Sequence, residues 1–278
     1  MDRKSEIRQL MAFSPEEVRE KAGDRLIVLP DIDALHRRMA EDIADEIAAA
    51  DGASLRLILP VGPTGYFPLL PHLIESRGLS LANCWLFFMD EYCGEDGKAV
   101  PASHPLSFKG IAQRDFLDHL PASGNLDPAK VVFPDEKNID ALSLKIEQLG
   151  GINACFGGIG IHGHVAFNEP ERGVSESPAR KVRLNDYTVT INAIRSQVGG
   201  DLENFPRYAF TLGMKEILSA ERIRLYCRNG IDLDWANTIL RLALFGEPGD
   251  DYPVTHIRDK DYVIVTDEDT LRSPQNRL

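Results

Sequence analysis

The chain has 278 residues, 43% hydrophobic, 27% charged and 8% aromatic, a composition that excludes disorder, collagen-like repeats and a disulfide scaffold. With 31 Lys and Arg against 43 Asp and Glu, the formal charge is -12, so no broad surface exists to displace counterions from a nucleic-acid duplex. A small anionic ligand is still compatible, because a few local donors outweigh a distant negative field. The N-terminus is charged from Asp2 onward and carries no signal-like apolar stretch. The apolar run at 85–89 is far too short to cross a bilayer. Cys84, Cys93, Cys155 and Cys227 show no metal-ligand spacing and read as reduced, buried thiols of a cytoplasmic protein.

In chain order, residues 25–29 read as a first strand closed by Pro30. Ile32, Leu35, Met39, Ile43 and Ile47 then recur at helical spacing, with Asp31 or Asp33 as N-cap. Residues 55–59 form the next strand, followed by a Gly/Pro turn and a short helix through 69–74. The continuous apolar run 85–89 suits a strand covered on both faces. A helix is expected near 107–120, and another on Ile139, Leu142, Ile146 and Leu149, ended by Gly150 and Gly151. Strands at 152–156, 223–227 and 262–265, with a helix on Trp235, Ile239, Leu242 and Phe245, complete the alternation. The expected fold is α/β: a three-layer, mostly parallel Rossmann-like sheet with helices on both faces, in one domain spanning 1–278. A polar tail at about 267–278 is expected to fray or pack loosely.

Ligands of open α/β sheets sit beyond the carboxyl ends of the strands, and three such ends are chemically unusual here. Gly62, Pro63, Thr64 and Gly65 follow a strand and precede a helix, which suits an oxyanion, although a plain turn has the same composition; no Gly-Lys-Ser/Thr follows, so it is not a Walker loop. Asp90 and Glu91 end a wholly apolar strand, where desolvation can raise a carboxylate to the range of a general base, though capping of a helix or loop at the sheet edge is the simpler use. The sharpest segment runs from Gly157 to Pro170. It combines a glycine-rich turn with His162, His164 and Glu169, an imidazole and a carboxylate suited to proton transfer near neutral pH. A zinc site would need a third Cys or His that the spacing does not offer, leaving Glu169 to close the set, so a metal is not expected. Cys93 follows the carboxylate pair, and His104 lies in the loop after it; His36, His72 and His119 read as surface or packing residues of helices.

Taken together, Phe88-Met89-Asp90-Glu91-Tyr92, His104-Pro105 with Ser107, the run from Gly163 to Pro170, and Tyr208 to Gly213 resemble the glucosamine-6-phosphate deaminase/isomerase family, which shares its fold with the 6-phosphogluconolactonases. The likeness runs from about 27 to 265. It implies an isomerisation of an amino aldose to a ketose coupled to loss of ammonia, with no metal or cofactor. By that resemblance Asp90 is the base that moves a proton between C2 and C1, His164 assists ring opening, Glu169 is its carboxylate partner, and Gly62 and Thr64 receive the sugar phosphate. Pro63, Gly65, Glu91 and Gly163 belong to the expected substrate-binding set.

Two departures stand out. The family has an Asp where this chain has His162, so either Glu169 suffices beside His164 or His162 takes an acid/base role itself. The family's late phosphate-binding Lys falls at Asp232 and its Arg at Val189, just ahead of Asn192. Arg228 could restore a charge; otherwise the substrate differs at its tail. The expected partner is thus a small sugar or sugar phosphate, not nucleic acid or membrane, and a homo-oligomer is left open. The alternatives are a lactonase using His164 to activate water, and a sugar-binding or regulatory protein that kept the cleft without catalysis.

Overall fold

The computed structural model describes residues 2–229, 234–274 and 276–278. Its strands are β1 (Leu26–Leu29), β2 (Leu55–Leu59), β3 (Cys84–Phe88), β4 (Asp90–Cys93), β5 (Val131–Val132), β6 (Ala154–Gly158), β7 (Arg180–Arg183), β8 (Tyr208–Thr211), β9 (Arg222–Cys227) and β10 (Tyr262–Asp267). Seven of them form a sheet in the order β1-β10-β9-β6-β2-β3-β5, with every pairing parallel.

The apolar strands explain the layers. Successive side chains point to opposite faces, and here both faces are covered. Ile58, Phe87, Cys155, Leu225 and Ile264 join one core. Their neighbours Leu57, Leu59, Leu86, Phe88, Phe156, Tyr226 and Val265 join a second core on the other side. The helix Ile32–Ala50 lays Leu35, Met39, Ile43 and Ile47 on the second core, and Asp31 caps it by accepting the Ala34 N–H. Helices Ile139–Gln148 and Ala236–Phe245 cover the first. This is the expected three-layer α/β arrangement.

A second sheet was not expected. β4, β8 and β7 make a three-stranded antiparallel sheet beside the main one. Met89 is the seam between the two: its N–H donates to Leu59 O of β2 at 3.0 Å, and its carbonyl accepts the Leu212 N–H at 2.8 Å. Phe88 therefore belongs to the large sheet and Asp90 to the small one. Tyr92, Phe167, Leu184, Val189, Phe205 and Ala209 form the small sheet's own apolar cluster.

The tail is also better anchored than its polarity suggests. Asp267 accepts the Thr270 N–H at the start of a helical turn, Glu268–Leu271, whose Thr270 and Leu271 are buried. All four cysteines are buried free thiols, and burial raises the Cys93 thiol above its ordinary value. Among the described residues, no helix is long and apolar enough to cross a membrane.

Candidate active site

Strand order reverses about β2. From it the chain proceeds outward through β3 on one side, while β6, β9 and β10 extend the sheet on the other. The carboxyl ends of β2, β3, β6 and β9 therefore open toward one crevice, the usual ligand position in an open α/β sheet. The 62–65 loop leans on the end of β6, since a Cβ on Gly158 would fall 3.2 Å from Gly62 O.

Asp90 is buried to 8% exposure, and its carboxylate accepts no hydrogen bond from a described residue. Desolvation, reinforced by the charge of Glu91, raises it to about 8. Glu91 has the opposite surroundings. Its two oxygens accept from Tyr92 N, Ser107 Oγ, Phe108 N and Lys109 N at 2.8–3.0 Å. The last two are orphan donors of the first turn of the helix Phe108–Asp115. Glu91 thus fastens that helix to β4.

The loop after β6 is tied to the strand opposite Asp90. Phe167 N–H donates to Thr211 Oγ1 at 3.1 Å, and Thr211 is the register partner of Asp90. Asn168 Nδ2 donates to Val165 O and Leu212 O, and Ala166 is held at φ 53 between them. Such a conformation in a residue other than glycine is kept only where its surroundings over-determine it. The His164 ring lies over Gly160, where any Cβ would overlap it. Gly163 turns the loop at φ 73; its N–H goes to Gly160 O and its carbonyl accepts from Val254 N. Both of its backbone groups make hydrogen bonds within the fold, which fixes the turn.

His164 Nδ1 lies 3.1 Å from His162 Nδ1, and His162 Nε2 lies 2.8 Å from Asn185 Nδ2. Burial lowers both imidazoles, His164 well below its ordinary value, with the charges of His162 and Arg195 acting in the same direction. Glu169 makes no hydrogen bond to His164. Its Oε2 accepts the Asn185 N–H at 2.8 Å, while Oε1 is buried with no partner among the described residues. Burial raises its carboxyl. The imidazole at 162, rather than the carboxylate at 169, is what touches His164.

The loop after β2 reaches the expected short helix through one additional turn. Thr64–Tyr66 is a single 3₁₀ turn, and the α-helix starts only at Leu70, so the loop rather than a helix start borders the crevice. His36 packs its ring on Gly65, with Nε2 buried and unpartnered among the described residues. Burial lowers His36, and the charge of Arg228 adds to the effect. Arg228, half-buried at the end of β9, donates to Asn229 O. Asp232 lies outside the described residues.

Arg195 was missed in the sequence. It closes the helix Asp186–Arg195, and its guanidinium stands 5.2 Å from the centre of the Trp235 ring. Burial lowers it, followed by the charge of Arg228, while Tyr92 opposes. Val189, where the resemblance places an Arg, is buried one and a half turns earlier on the same helix. A cation in the last turn of a helix reads as a dipole partner, which hid it. Among the described residues, no group of three or more His, Cys, Asp or Glu is placed to hold a metal ion.

No family model matches the chain. It is 32% identical over 209 residues to the glucosamine-6-phosphate deaminase of Serratia proteamaculans (strain 568), spanning 72% of this chain and 75% of that protein. The protein of the same name from Phocaeicola vulgatus is 29% identical over 212 residues, spanning 73% and 77%. Among solved structures, a monomeric glucosamine-6-phosphate deaminase superposes with a TM-score of 0.76 at 24% identity, over 88% of this chain and 98% of that one. A 6-phosphogluconolactonase from Shewanella baltica OS155 gives 0.60 at 18%, over 87% and 97%. At such identities the two structural likenesses concern the fold alone.

Proposed function

This chain belongs to the glucosamine-6-phosphate deaminase family, and we propose that it converts a phosphorylated amino aldose to the ketose with release of ammonia, using Asp90 as the base. The observation that carries this reading is the Asp90 carboxylate: buried, without a hydrogen-bond donor among the described residues, raised to about 8, and set at the seam of two sheets. A carboxylate in that condition is basic enough to take a carbon-bound proton next to a carbonyl. In the open-chain sugar it removes the proton from C2 as O1 takes up a proton and becomes the enol hydroxyl, then returns the C2 proton to C1 while the nitrogen releases one that makes good the proton taken up by O1. The result is a C2 imine, which water hydrolyses to the ketone and ammonia.

At the other end of the substrate, the phosphate is received by the loop of Gly62, Pro63, Thr64 and Gly65, with Arg228 and Arg195 supplying the positive charge. Both guanidiniums are desolvated in the free protein, and Arg228 also repels Arg195 while Asp267 partly compensates Arg228, so an added anion is favoured beside them. These two residues take over from the Lys and Arg that the family carries at positions 232 and 189. The lactonase reading is supported less, since it rests on weaker structural likeness and gives Asp90 nothing to do.

A panel of sugar phosphates decides the matter. Ammonia release from glucosamine 6-phosphate, with no acid from 6-phosphogluconolactone, is the expected result. Acid production without ammonia would establish the lactonase. Thermal stabilisation by sugar phosphates with no turnover of any of them would make the protein a binder.

A further inference from the structure

Asn185 fixes the protonation of two imidazoles in turn. Its side-chain oxygen accepts the Thr188 N–H at 3.0 Å, as cap of the helix Asp186–Arg195. A backbone N–H can only donate, so the amide cannot be reversed, and Nδ2 is the atom that faces His162 Nε2 at 2.8 Å. An amide nitrogen also only donates. His162 Nε2 is therefore the bare, accepting nitrogen, and in the neutral ring the proton sits on Nδ1. That proton points along the 3.1 Å contact to His164 Nδ1, which must accept it. The remaining proton of His164 is left on Nε2.

We propose that His162 is a positioning residue that sets the tautomer of His164, holding it as a neutral imidazole whose Nε2–H is offered to a substrate oxygen as a donor. A carboxylate at 162 would do the reverse: it would accept from Nδ1–H and leave Nε2 as a bare base. The substitution thus inverts the polarity of the group that meets the substrate. The identity of the oxygen rests on the deaminase reading; it is O1, which gains negative charge as C2 loses its proton to Asp90. A neutral imidazole polarising a carbonyl beside a carboxylate base is an established way to move a proton between adjacent carbons. The charged and titratable neighbours of His164 are His162 on its own loop and Arg195 on the helix Asp186–Arg195, and both disfavour the imidazolium.

The test is a nitrogen-15 NMR measurement on the full-length protein with labelled histidine, which separates Nδ1–H, Nε2–H and doubly protonated rings. The wild type is expected to show His164 as the Nε2–H form between pH 6 and 8, and His162→Asp to show it as the Nδ1–H form. Asn185→Asp is the second variant, because Asp caps a helix as well as Asn. Its carboxylate would draw the proton of His162 to Nε2 and so turn both rings over, with a fall in kcat of about a hundredfold, the scale of a lost oxyanion donor. A wild-type His164 in the Nδ1–H or imidazolium form would overturn the proposal, as would an unchanged tautomer in both variants. The NMR result stands apart from turnover: the expected tautomers without ammonia release would sink the deaminase reading alone.

Discussion

Asp90 and Thr211 are register partners across β4 and β8, and the Thr211 hydroxyl oxygen also accepts the Phe167 N–H from the imidazole loop. One side chain therefore joins the strand that carries Asp90 to the loop that carries His164. Thr211→Val keeps the volume and removes the acceptor, leaving a buried N–H unpaired at about 1–3 kcal/mol. Chemical denaturation should show that loss, and kcat should fall while KM changes little, because the loop and the base lose their common anchor.

Asp90→Asn should leave the fold intact and abolish the carbon-proton step. A positioned general base contributes about 10²–10⁴-fold, so kcat should drop by that range. Incorporation of solvent deuterium at the substrate carbon measures the step directly. Exchange that persists in the variant would mean that another group is the base.

The acid limb of kcat/KM should follow the raised carboxylate. Asp90 must be ionised to act, so the rate is expected to climb with pH and level off above about 8. His162 and His164, both lowered by burial, add no limb near the ordinary imidazole value. Stability moves the other way. A carboxyl whose folded value lies above its unfolded one favours the protonated native state, and that contribution is lost as pH rises through the folded value. Asp90→Asn should therefore melt higher than the wild type at pH 9, with the gap narrowing toward pH 4.

Removing either cation at the β9 side should weaken recognition of the anionic tail. Charge-assisted hydrogen bonds contribute about 1.5–3 kcal/mol, so Arg228→Met or Arg195→Met should raise KM for the phosphorylated sugar roughly tenfold or more. The unphosphorylated sugar, measured in parallel, should be indifferent. Equal losses on both sugars would place these residues outside the tail site.

Six of the seven strands of the main sheet were legible because they are continuous apolar runs between helices that repeat at 3.6 residues, whereas the two-residue β5 is too short to carry a pattern. The small sheet was not. Its strands are four residues each, and they pair residues 90–93 with 208–211 and 180–183, a partnership no local pattern announces. At the site, the raised Asp90 could be anticipated from a charge at the end of an apolar strand. A capping use for the pair was open from the sequence, but not which helix Glu91 caps, because its donors lie at Ser107, Phe108 and Lys109, sixteen to eighteen positions away. Spacing suggested Glu169 for His164, but the carboxylate turns to Asn185 instead. Adjacency in the chain was the better guide only for His162.

Because Met89 hands the backbone from one sheet to the other, Asp90 and Arg228 have separate supports. Asp90 is held by the small sheet, which is tied to the loop of His164; Arg228, at the end of β9, is held by the large one, while Arg195 shares its helix with the Asn185 cap that faces His162. Substitutions at Arg228 can thus retune which sugar is captured without disturbing the alignment of Asp90. A lineage could exchange that one tail-gripping residue and leave the opposite end of the crevice in place.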